Sequence, residues 1–216
     1  CNKKEIVLGY GGYEKHSGIL NKLVRFDTFQ IALQYFSYAL FGHSYMGVGR
    51  NLAYKKSLFF DNKGFASHIH IPSGDDDLFI REVANSKNVA IAVHRSSHTL
   101  SEAKTTWSSW IRQKKRHLST SGYYTFSHKF LLGLWAFSQA LFWILGIVLI
   151  TQNVNQYVIV LLMIFRLLIQ GFIYYRVLKR FEEHDLIWFF PLYEIAQLFF
   201  QLIFVFSNLF NPKKNW

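Results

Sequence analysis

The sequence predicts an α/β domain over residues 1–129 followed by an α-helical transmembrane bundle over residues 130–216. Three observations predict it. From Phe130 to Phe165 there is no Asp, Glu, Lys or Arg. Residues 1–129 hold 18 Lys and Arg and 9 Asp and Glu, against 6 and 4 in residues 130–216, so the two parts face different solvents. Within the front part, strand-like and helix-like segments alternate, which is the pattern of an α/β domain. That part is long enough to bury one core.

Glu5–Leu8 reads as a short strand, and Gly9-Tyr10-Gly11-Gly12 as the turn that ends it. The Gly-Lys-Ser/Thr ending of a P-loop is missing, so a plain turn is expected rather than a phosphate cradle. Ile19–Phe41 is helix-like and rich in aromatic residues. Its apolar stretch, Ile31–Phe41, is shorter than the roughly 20 residues a bilayer needs, which leaves a core helix or an interfacial one. Leu52–Phe60 reads as a strand entering a helix. His68 and His70 would share one strand face as a possible metal pair, although no third ligand stands at a suitable spacing. Asp75, Asp76 and Asp77 open a helix running to about Asn85, where carboxylates suit the N-terminal dipole. Val89–Val93 reads as a strand covered on both faces. Trp107–Leu118 should be an amphipathic helix with a basic end.

The back part predicts spans near 130–150, 157–175 and 186–206, separated first by the polar turn Thr151–Gln156. The third contains Pro191, Glu194, Gln197 and Gln201, and would also fit an interfacial or broken helix. Lys114, Lys115 and Arg116 precede the first span, and Arg176, Lys179 and Arg180 follow the second. By the positive-inside rule these put the α/β domain in the cytoplasm. Lys213 and Lys214 would then end outside if the third segment crosses. Arg166 lies inside the second span, where a charge is expensive without a partner. Helix rise puts Glu194 at a similar depth, so the two are expected to pair.

The net charge of +11 suits an anionic leaflet or a phosphorylated ligand. Most of it precedes the first apolar run, which disfavours nucleic acid as the partner. Cys1 is the only cysteine, so no intrachain disulfide can form, as befits a reducing compartment. The opening Cys1-Asn2-Lys3-Lys4 lacks an initiator Met and a signal-peptide core, and reads as the back part of a longer protein.

Two features could carry chemistry. Asp75–Asp77 at a helix start could supply a carboxylate that takes a proton from an attacking hydroxyl. A solvated acidic turn or a cap is the plainer reading. Trp110, Gln113, Lys114, Lys115, Arg116 and His117 form a basic, aromatic helix just before the membrane. Such a helix can clamp a diphosphate, or can simply contact anionic lipid.

Taken together, three motifs and their order resemble the membrane-bound family 2 glycosyltransferases, relatives of the cellulose, chitin and hyaluronan synthases. They are Gly47-Val48-Gly49-Arg50-Asn51, then Gly74-Asp75-Asp76-Asp77, then Gln113-Lys114-Lys115-Arg116-His117, followed by membrane helices. The resemblance covers roughly Glu5 to the first span. It implies the back half of a glycosyltransferase A-type nucleotide-sugar transferase domain and an inverting transfer. The acceptor would be a glycan or a lipid-linked molecule. Asp76 would be the catalytic base, Asp75 its supporting neighbour and Asp77 a spare. Gln113, Arg116 and Trp110 would lie by the donor diphosphate and the acceptor. Gly49, Arg50 and Asn51 would line the acceptor cleft. His117 stands where the family has Trp. The resemblance further implies a divalent cation, Mg or Mn, whose ligands would lie upstream of this chain together with the uridine-binding acid. It places the protein as an integral membrane protein, in the bacterial inner membrane, among membrane lipids. The alternative is a non-catalytic membrane scaffold or assembly subunit with a basic cytoplasmic domain. A transporter ranks last, with few spans and no inverted repeat.

Overall fold

The computed structural model describes residues 4–71 and 73–210, with the backbone alone for residues 205–210. Cys1, Lys213 and Lys214 lie outside the described residues. The chain opens with β1 (Ile6–Gly9) and passes directly into β2 (Gly11–Tyr13), with Tyr10 between them buried. The glycine turn expected at residues 9–12 is therefore a straight crossing from one small sheet to another. Close approach explains the glycines. A Cβ on Gly9 would overlap the Asn51 side chain, and one on Gly12 would lie 3.0 Å from the Tyr10 ring.

Next comes α1 (Ile19–Leu40), which buries Phe26, Phe29, Tyr35 and Phe36 and is a core helix. After it follow β3 (Leu52–Tyr54), α2 (Lys56–Asp61), α3 (Asp75–Val83), β4 (Val89–Ala92), β5 (Thr99–Ser101) and α4 (Trp107–Ser119). One sheet has the order β3-β1-β4, with β3 antiparallel to β1 and β4 parallel to it. A parallel pair, β2 with β5, makes the other. Because β4 is an edge strand, only Val89 in it is buried, which corrects the expectation of cover on both faces. The histidine pair is corrected too. Residues 62–70 form successive turns rather than a strand, with His68 buried and His70 exposed. The His68 ring reaches Ser67 Oγ at 2.9 Å and Glu82 at 3.4 Å.

The helical part consists of α5 (Phe126–Thr151), α6 (Gln156–Arg180) and α7 (Phe190–Phe210), with a 3-10 segment at His184–Phe189. Between α5 and α6, Asn153 and Asn155 take φ of 58° and 41°, a left-handed conformation that Asn tolerates well. Pro191 sits in the first turn of α7, where its missing N–H costs nothing. Three segments are long and apolar enough to cross a membrane: Phe126–Thr151, Gln156–Arg180 and His184–Phe204. Their outer faces display Phe137, Leu161 and Leu168, each more than 60% exposed. Such a continuous apolar surface suits lipid.

The two parts share a core. Tyr174, Leu178, Phe181 and Leu186 join Phe26, Phe29 and Phe36 of α1 in one cluster, and Tyr10 stacks on Phe181 with ring centres 4.3 Å apart. Arg25, 2% exposed, bonds Glu183 and reaches Asp185 at 2.6 Å. Arg95 pairs with Glu182. These contacts bind the α6–α7 connection to the α/β part, so that end of the membrane helices lies beside it. In the middle of α6, Arg166 reaches Glu194 at 3.2 and 3.4 Å, and Gln170 donates to the same carboxylate at 2.6 Å.

Candidate functional site

A cavity of about 970 Å³ lies where α1, α3, α4, α5 and α7 meet. This is at the upper end of the usual range for ligand pockets, roughly 300–1,000 Å³. Two glycines create the convergence. Gly74, at φ 80°, precedes α3 in a left-handed conformation, and a Cβ there would overlap the Thr120 side chain just beyond α4. The start of α3 can therefore press against the end of α4. Gly49 lies so close to Asp76 that a Cβ would come within 2.9 Å of Oδ2.

Asp76, Arg116, Gln113, Trp110, Gly49 and Arg50 all line this cavity, whereas Asp75 and Asn51 do not. Successive residues of a helix point about 100° apart, so three aspartates in one turn cannot share a direction. Asp75 is exposed, while Asp76 and the buried Asp77 face inward. Asn51 has a structural task instead. Its Nδ2 donates to the carbonyls of Tyr10 at 2.8 Å and Ser97 at 2.6 Å, tying the junction of β1 and β2 to the segment before β5.

Asp76 is held by backbone donors. The Gly49 N–H reaches its Oδ2 at 2.6 Å, and the Asp77 N–H its Oδ1 at 3.0 Å. Burial pushes its carboxyl above the ordinary carboxylate range, and those two N–H bonds oppose the shift without cancelling it. Asp77 is pushed up much further, by burial and then by the Asp76 charge, against the pull of the Tyr124 hydroxyl, which donates to it at 3.1 Å.

The cavity lining also carries cations. Arg116 makes no side-chain hydrogen bond or ion pair among the described residues. Arg50 lies 4.0 Å over the Tyr13 ring and donates to the Gly12 carbonyl at 3.2 Å. Gln113 donates to the Tyr13 hydroxyl at 3.2 Å. Lys114 is committed to Asp27, at 2.8 and 2.9 Å. His117 lines the cavity and is exposed there. Desolvation, then the charges of Lys114, Arg116 and Arg50, lower its pKa to about 4, so it is neutral at pH 7.

From below, α5 contributes Leu132, Trp135 and Ala136, and α7 contributes Gln197, Phe200, Gln201 and Phe204. Trp110 packs edge-on to Phe200 at 4.9 Å, joining the basic helix to α7. Sequence reasoning missed Tyr124, Asp27, Gln30 and the contribution of α7. Only Gln197 and Gln201 carried a signal, as polar residues in an apolar segment.

Glu14, His16 and Glu102 form the only cluster of potential metal ligands among the described residues, with ligand atoms within 4.8 Å of one another. All three are exposed and none lines the cavity, so they do not fit a cation gripping a diphosphate beside Arg116. In comparisons with known proteins, no family model matches the chain and no curated protein matches it.

Proposed function

We propose that the chain carries the acceptor side of an inverting glycosyltransferase of the A-type α/β fold. It would move a sugar from a nucleotide-diphosphate sugar to a hydroxyl on a glycan or lipid-linked acceptor. The observation that carries this reading is the shared cavity of Asp76 and Arg116, 40 positions apart in the chain. Asp76 takes the proton of the acceptor hydroxyl, whose oxygen attacks the anomeric carbon on the face opposite the leaving diphosphate. Gly49 N–H fixes the carboxylate, and its raised pKa makes it a stronger base than an exposed aspartate. Arg116, without a side-chain partner among the described residues, meets the charge that develops on the diphosphate. The membrane-proximal basic residues support a cytoplasmic site.

The test uses the intact enzyme with its natural donor class. Asp76→Asn is expected to abolish transfer while donor binding stays within about threefold. Full activity in that variant would remove Asp76 from the mechanism. Arg116→Ala is expected to weaken donor binding and turnover together; loss of vesicle association alone would identify a lipid-contact patch instead. One observation favours a non-catalytic scaffold as second reading. Both Asp76 oxygens already accept backbone N–H bonds, which is also what a purely structural clamp would do. That reading predicts no donor binding at all.

A further inference from the structure

We infer that the acceptor is an amphiphilic alcohol, a lipid or glycolipid presenting a hydroxyl, seated with its head at Asp76 and its tail against α5 and α7. The inference rests on the glycosyl-transfer reading and chooses among its acceptors. Three features of the cavity argue for it.

Apart from Gln197 and Gln201 the floor is apolar, and it comes from the membrane-crossing candidates. Leu132, Trp135 and Ala136 share one face of α5, and Phe200 and Phe204 share one face of α7. A hydrated glycan gains little from Leu and Phe walls, whereas an alkyl chain gains free energy with each increment of its surface removed from water.

The base selects a neutral head. Asp76 lines the cavity together with Arg50, Lys114 and Arg116, so charge by itself does not exclude an anion. A phosphomonoester acceptor is already ionised and needs no base, whereas a neutral hydroxyl does.

Buried amides await hydroxyl donors. Gln30 and Gln197 line the cavity at 4% and 9% exposure, and the side-chain oxygen of each is buried without a partner among the described residues. Such an oxygen is costly unless a donor fills it. A hydroxyl-bearing head group supplies donors, and an ionised phosphate supplies none. In the transfer, the acceptor O–H proton passes to Asp76. The new bond joins acceptor oxygen to anomeric carbon, and the electron pair of the broken carbon–oxygen bond leaves on the diphosphate.

The test is photolabelling of the full chain in lipid nanodiscs by an alkyl β-glucoside carrying a diazirine at its tail end, mapped by peptide mass spectrometry. Labels are expected on residues 132–136 and 200–204, and unlabelled alkyl glucoside should reduce them about tenfold. Free oligosaccharide or alkyl phosphate at equal concentration should leave them unchanged. Ala136→Phe, which fills the apolar floor, should remove the inner labels while those on outward Phe137 and Leu161 persist as a control for bilayer partition. Labels confined to outward residues would overturn the inference, as would equal competition by the oligosaccharide or stronger competition by the phosphate. The two readings fail separately. Inner labelling with no sugar transfer in the intact enzyme would retain the amphiphile site and remove the enzyme. Transfer to a soluble oligosaccharide without inner labelling would do the reverse.

Discussion

Gly49 and Gly74 act through what they lack. Each lets one backbone segment approach another side chain closely, and Gly74 also takes φ 80°, which suits glycine alone. Gly74→Ala should therefore cost about 1–3 kcal/mol, read as a lower thermal midpoint. Gly49→Ala should disturb Asp76 more than the fold, lowering turnover in the intact enzyme with a small change in stability. His117 makes a pH prediction. Its folded-state pKa of about 4 lies below the ordinary 6.5, so the native state binds fewer protons than the unfolded chain in that window. Its contribution is complete above pH 6.5 and is lost as pH falls towards 4. His117→Gln should flatten that part of a thermal-midpoint profile, and an unchanged slope would show that other groups set it. The aspartate motif was legible from composition and position. Which aspartate faces inward was not, because that depends on how α3 rotates against α4.

Between elements, the strongest constraint is the buried contact of Arg25 on α1 with Glu183 after α6. The two partners respond differently. Arg25 is desolvated, yet its pKa is raised because both Glu183 and Asp185 face it. Glu183 is raised above its ordinary value because burial outweighs the Arg25 and Lys15 charges. The pair therefore fixes position more than it adds stability. Arg25→Met alone should cost about 3–5 kcal/mol by stranding Glu183, while Arg25→Met with Glu183→Met should recover most of it. Denaturant midpoints of the two variants decide the matter; equal losses would mean the packing of α1, not the charge pair, carries the energy. The elements themselves were largely visible. The basic helix, the strand entering α2 and the acidic start of α3 all lie within two or three residues of expectation, because each is set by local periodicity. The docking of α4 on α7 through Trp110 and Phe200 had no local signature.

Across the whole molecule, Arg166 and Glu194 join α6 to α7. Arg166→Leu and Glu194→Leu should each destabilise the protein in detergent, and the double variant should lose less than the sum of the two. Additive losses would dissolve the pairing account. Topology has its own test, with Cys1 replaced by Ser. A cysteine at Asn153 and one at Lys179 should react with membrane-impermeant maleimide from opposite sides of sealed vesicles.

From the letters alone came the partition into an α/β part and three apolar helices, and the depth match between Arg166 and Glu194. Run length, charge-free stretches and helical rise are properties of neighbouring residues, so they survive without tertiary information. Only the folded structure decided that Gly49 and Asp77 face the cavity while Asn51 and Asp75 do not, and that the membrane helices share their core with the α/β part. Those outcomes hang on backbone approaches between segments distant in the chain, where a missing Cβ or one turn of helix rotation moves a side chain from cavity to solvent.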